Sequence, residues 1–262
     1  MKPSTSPSGI DVIRPAATLI AILATLTVNA LSNINPPSIG EIANTVLGGV
    51  QITPANYAFA IWGLIYLGLI AYGIYQLLPA QRHNATLHRV GYWLILACLA
   101  QIAWVSLFTR QQFWLSVLAM LVILGSLIGA YLHLRTGLGR SRQERWLAHI
   151  PFSIYLGWIA VATIVNVASA LYDSGWNGGM SPDVWTIIML VVGVIVAAIV
   201  ILQRADIAFT LVFVWAYVAI AVRQATVPPI WITAVLGAIG LTILLLVNQT
   251  RHRRVTNQNE LN

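Results

Sequence analysis

Ile52–Tyr66 reads ITPANYAFAIWGLIY. Thr53 can cap a helix N-terminus, and Pro54 suits the first helical turn, where its missing N–H costs nothing. Phe59, Trp62 and Tyr66 then follow at spacings of three and four, which predicts three large rings on one helix face. No charge interrupts the run from 59 to 78. About 20 apolar residues suffice for a helix to cross the hydrocarbon of a bilayer, so this stretch reads as a spanning helix entered from an aromatic side.

The rest of the chain repeats that pattern. Of 262 residues, 58% are hydrophobic and only 8% charged, and the mean hydropathy is +0.80. Soluble domains carry about 25% charged residues, so this surface cannot face water. The expected fold class is all-α, a polytopic transmembrane helix bundle of about eight spans. These run at 15–32, 59–78, 91–108, 113–134, 150–171, 184–202, 207–222 and 229–247. A polar tail (1–14) precedes them, a polar, Gly-rich loop (Asp173 to Asp183) sets off the last three (172–249), and a second tail follows (250–262). The net charge of +7 comes from basic residues in short loops, which excludes a nucleic-acid patch and makes them topology signals. The single cysteine, Cys98, permits no disulfide within the chain.

With the N-terminus in the cytoplasm, Lys2, Arg14, Arg82, Arg89, Arg135, Arg140, Arg142, Arg145, Arg204, Arg251, Arg253 and Arg254 fall inside, and only Arg110 and Arg223 fall outside. That bias predicts an even span count and two cytoplasmic termini, most simply in the plasma (inner) membrane. Trp93, Trp114, Trp146, Trp176, Trp185 and Trp231 sit near span ends, as an aromatic belt requires. The first span, with VNA at Val28–Ala30, also has the form of a signal peptide with a small-residue cleavage site, and it reads equally well as a retained helix.

Ser38 and Glu41 have capping-box spacing, and Ile39, Ile42, Val46 and Leu47 share one face before Gly48–Gly49. A short amphipathic outer helix over 39–47 is expected, either as a lid or as a passive interfacial seal. On these boundaries no Asp, Glu, Lys or Arg lies inside a span, which argues against an ion- or proton-coupled transporter. His83, His88, His133, His149 and His252 lie at cytoplasmic span ends or in inner loops, without metal-ligand spacing. No metal site, catalytic residue or intrinsic cofactor is expected.

Polar and aromatic residues within the spans cluster in depth. Gln101, Trp104 and Asn166 fall in outer halves, Trp62 enters from outside, and Trp158 lies eight residues below Asn166. Buried amide and indole N–H groups need partners. Either they bond one another across helices, or a ligand supplies the partners.

Three stretches are similar to one family. TPANYAFAIWGLIY (Thr53 to Tyr66), QIAWVSLF (Gln101 to Phe108) and PFSIYLGWIAVATIVN (Pro151 to Asn166) resemble the second, third and fifth helices of the TspO/MBR family, the translocator proteins or tryptophan-rich sensory proteins. The likeness covers roughly 15–171, a five-helix core, and the wording at 53–66 resembles long members with three extra C-terminal helices. It implies an often dimeric bundle with an outer-side cavity, under the loop joining the first two helices, that takes porphyrins, sterols and synthetic small ligands. Trp62, Trp158, Asn166 and Trp104 match family positions, and Phe59, Tyr66 and Gln101 complete the expected wall. Gln101 replaces the usual Asn, and the 33–53 loop is longer than usual. Arg110 and Arg223 are the outward cations, available to lipid headgroups or to ligand carboxylates. The resemblance implies a receptor or carrier for a porphyrin or other tetrapyrrole. Two alternatives stand beside it, a porphyrin-degrading enzyme and a scaffold that binds another membrane protein through small-residue faces such as Gly125 and Gly129.

Overall fold

A computed structural model describes residues 10–81, 83–137 and 141–260, with backbone alone at 10–12, 137 and 252–260. Lys2, Arg82 and Arg140 of the charge tally lie outside the described residues, as do the side chains of His252, Arg253 and Arg254. The described residues form helices and turns, with no strand among them. In order they are α1 (Ile10–Ile34), α2 (Ile39–Asn44), a 3-10 turn (Asn56–Ala60), α3 (Ile61–Leu77), α4 (Ala85–Thr109), α5 (Phe113–Gly137), α6 (Ile150–Asp173), α7 (Pro182–Arg204), α8 (Ile207–Arg223) and α9 (Pro228–Glu260). Among the described residues seven helices are long and apolar enough to cross a membrane, and α8, at 17 residues, is a shorter apolar helix. The protein is a multi-pass, all-α membrane protein.

Short polar side chains set several boundaries. Asn84 accepts from the N–H groups of Thr86 and Leu87, which starts α4 six residues before the expected 91. Ser141 and Glu144 form a reciprocal capping box ahead of α6. One π turn (Arg145–His149) then precedes Pro151, which could not donate to the regular helical ladder. Ser181 caps α7, where Pro182 occupies the first turn. Asp206 caps α8 directly after Ala205 takes a left-handed conformation (φ 50°).

Three expectations are corrected. First, α1 begins by Ile10, so Arg14 lies within a helix and is buried, contrary to the reading that no span holds a charge. Second, α2 stops at Asn44 and does not run to 47. The Asn44 side chain folds back onto the Gly40 carbonyl (2.6 Å) and reaches Asn56 Oδ1 (3.1 Å), which competes with further helix. Ile42 and Leu47 are buried, whereas Val46 is exposed. Third, the helix opened by ITPANYAFAIWGLIY does not start at Thr53. Ala55 donates to the Ala219 carbonyl (3.1 Å) and the Pro54 carbonyl accepts from Arg223, so a 3-10 turn takes up 56–60 and α3 follows.

Contacts group the chain into two compact units, Met1–Ile39 with Trp62–Leu156, and Gly40–Ile61 with Gly157–Asn262. In the first, α4 packs against both α1 and α5. Its interior holds Ile22, Leu69, Tyr72, Leu94 and Phe152. Gly68 allows α3 to approach Pro151: a Cβ there would meet the proline at 2.9 Å. In the second, α9 packs against α8 and α7 around Leu190, Ile201, Phe213 and Leu241. Lipid is as apolar as these side chains, so close packing and interhelical hydrogen bonds, more than exclusion of water, hold the helices together.

Candidate ligand site

In the first unit the spacing of four between Trp62 and Tyr66 puts both rings on one face of α3. They stack with centroids 5.3 Å apart and planes 23° from parallel. Tyr155 of α6 meets the Trp62 ring edge-on at 6.0 Å. Its hydroxyl donates to Gln101 Oε1 at 2.7 Å, so three helices contribute to one aromatic and polar group. Gln101 is 1% exposed, yet its Nε2 has no hydrogen-bond partner, and neither does the buried Tyr66 hydroxyl. Trp104, one turn along α4, stacks on Phe108 at 5.0 Å, and Phe108 in turn meets Phe113.

The second unit holds the other expected residues. Phe59 lies in the 3-10 turn and packs edge-on against Trp158 at 5.8 Å. Trp158 and Asn166 are both buried. Arg223 donates to Asn44 Oδ1 (3.0 Å) and to the Pro54 carbonyl (3.4 Å), so it braces the segment around 44–54. Arg110, in the first unit, is exposed and closes α4 as its C-cap. Gly129 is packed under Trp93, where a Cβ would lie 2.8 Å from the indole. Gly125 has open space around it.

Gln51 was not among the residues picked out from sequence, yet it is a hub of the second unit. Its Nε2 donates to Asp183 Oδ1 (2.8 Å), its Oε1 accepts from Thr186 (3.2 Å), and its carbonyl accepts from Gln224 (2.8 Å). With the Trp215 indole N–H on the Ala58 carbonyl (3.1 Å), the segment 51–58 is tied to both α7 and α8. Beside Gln51 is a cavity of about 100 Å³, lined by Gly49, Tyr172, Trp176, Trp185 and Thr186 among others. Its sequence signal is weak. Gln51 is a lone polar residue between Val50 and Ile52, and Trp176 and Trp185 read as belt residues.

Among the described residues no group of three His, Cys, Asp or Glu side chains could hold a metal ion. Cys98 is a free, buried thiol. The groups gathered around Trp62 are stacked rings, and amide and hydroxyl groups in an apolar setting.

No curated protein and no solved structure matches the chain. A family model described as TSPO-like protein does match, over residues 15–247. That span extends beyond the 15–171 carried by the three quoted stretches and takes in α7, α8 and most of α9. The chain belongs to the TSPO-like family.

Proposed function

We propose that this protein is a membrane receptor or carrier for a flat, hydrophobic, conjugated small molecule of the porphyrin class, bound against Trp62, Tyr66, Gln101 and Tyr155. One observation carries the reading. Gln101 Nε2 and the Tyr66 hydroxyl are buried without partners beside a stacked pair of rings. A buried donor left unmade costs about 1–3 kcal/mol, and a ligand bearing a carboxylate or carbonyl would remove that cost. The rings supply large contact area at low rotamer cost, which suits a flat partner. Family membership favours the same class of ligand. The amide and phenol groups bind and orient, and no acid–base pair or metal is assigned to them.

The test is titration of the purified protein with a porphyrin, followed by quenching of tryptophan fluorescence in nanodiscs. Wild type should bind saturably. Trp62→Ala should weaken binding about thirtyfold or more, corresponding to ~2 kcal/mol for one large ring, and Trp62→Phe should lose less. Trp114→Ala is the control, because that indole is half exposed near a helix end. Absence of saturable binding, or wild-type affinity in Trp62→Ala, would overturn the assignment. Steady loss of porphyrin absorbance with new product would move the protein to the degrading-enzyme class.

A further inference from the structure

The first unit contains a second set of unsatisfied polar atoms, and this one is built around a charge. Arg14, in the second turn of α1, is 6% exposed. Its Nη1 donates to the Leu87 carbonyl (2.9 Å) and to Gln76 Oε1 (3.1 Å). Gln76 is fully buried and leans on the Pro15 carbonyl at 3.5 Å. Gly91 makes this placement feasible, since a Cβ there would lie 2.5 Å from Nη1. The guanidinium thus rests on α4 at a point where only glycine leaves room.

Nη1 is satisfied, but Nε and Nη2 have no partner. These two nitrogens form one edge of the planar group, the edge that grips two oxygens of a carboxylate or phosphate side by side. The hydroxyl of Tyr72, one turn before Gln76 on α3, is also buried and unpartnered, and it lies within electrostatic reach of the guanidinium. Among the described residues Arg14 bonds to an amide and a backbone carbonyl, and to no carboxylate. A buried charge without a counter-charge is costly, and arginines inside membrane helices commonly mark ligand or lipid contacts.

The position narrows the anion. Arg14 is near the start of α1, Gln76 is the penultimate residue of α3, and Leu87 is the third residue of α4. The cluster therefore lies where three helix ends meet, at the level where phosphates border the hydrocarbon. We propose that Arg14 and Tyr72 form a phosphate-binding site, with two phosphate oxygens on the Nε–Nη2 edge and a third contact from the Tyr72 hydroxyl. The edge is buried, so binding requires the arginine to move on its flexible stem.

The phosphate could come from a phospholipid headgroup or from solution, and the experiment separates the two. Delipidated protein in detergent is melted alone, with phosphatidylglycerol, and with inorganic phosphate. Ligand that binds only the folded state raises the midpoint, by several degrees for the wild type at saturation. A response to phosphatidylglycerol alone identifies a lipid site, and a response to inorganic phosphate as well identifies a general phosphate site. Arg14→Lys keeps the charge but loses the fork, and should lose most of the response. Tyr72→Phe should melt no lower than wild type without ligand, because it removes an unsatisfied hydroxyl, yet its response should fall by about half. Should no phosphate species raise the wild-type midpoint, or should both variants respond fully, the proposal is overturned.

Discussion

Tyr155 and Gln101 close a 2.7 Å hydrogen bond inside the first unit, and it satisfies only the oxygen of the Gln101 amide. Tyr155→Phe would strip that partner too, leaving both ends of a buried amide unmade. The expected loss is about 1–3 kcal/mol. Adding Gln101→Leu should restore much of it, because a pair without polar atoms has nothing left to satisfy. Thermal unfolding in detergent reads the order of the variants. A double variant less stable than Tyr155→Phe alone would show that the bond is incidental.

Tyr217 gives a packing prediction in the second unit. Its hydroxyl donates to the Leu190 carbonyl and lies 2.5 Å from where a Cβ on Gly193 would stand. Gly193→Ala should destabilise by about 1–3 kcal/mol through overpacking. Tyr217→Phe added to Gly193→Ala should recover part of the loss, since the clashing atom is gone. A Cβ on Gly237 would meet ring carbons of the same tyrosine at 2.7 Å and 2.8 Å, so Tyr217→Phe should not rescue Gly237→Ala. Equal rescue at both glycines would contradict the packing described.

The helices were legible because each span needs about 20 apolar residues, and such runs are continuous in the sequence. Trp62 with Tyr66 was legible for a similar reason, since a spacing of four is a local property. The 3-10 turn before α3 was not. It depends on Ala219 and Arg223, more than 150 residues away, taking up the backbone groups of Ala55 and Pro54. Arg14 read as part of a tail because the apolar run begins beside it. Its burial depends on Gln76 and on the space at Gly91, which no local pattern reveals. The tryptophans divided more readily. Trp114, Trp146 and Trp176, placed in the belt by their nearness to span ends, are about half exposed or more, whereas Trp158, deep in its span, is buried.

Gln51 is the residue through which the segment before α3 is tied to α7. Gln51→Leu keeps the bulk but removes the bonds to Asp183 and Thr186. Loss of ~1.4 kcal/mol of local stability would raise amide exchange around 45–55 about tenfold, while the core of α7 should exchange as before. Hydrogen–deuterium exchange with mass spectrometry resolves this. Unchanged protection at 45–55 would assign the anchoring to Arg223 and the Trp215 indole instead.

The shortest apolar helix decides the topology. At 1.5 Å per residue, the 17 residues of α8 reach about 25 Å, somewhat less than the roughly 30 Å hydrocarbon thickness. Yet only Ala205 and Asp206 separate α7 from α8, and Asp206 caps the new helix at once. A two-residue reversal with a left-handed residue leaves α8 no course except back along α7, with local thinning of the bilayer making up the shortfall. If α8 crosses along with the seven longer helices, the count is eight and both termini are expected on one side. The bias of the basic residues, twelve against two, predicts that this side is the cytoplasm. A reporter fused after Asn262 should be active as a cytoplasmic protein, and one inserted at 224–227 should report the opposite side. A C-terminal reporter on the outer side would mean that α8 does not cross, and the count would drop to seven.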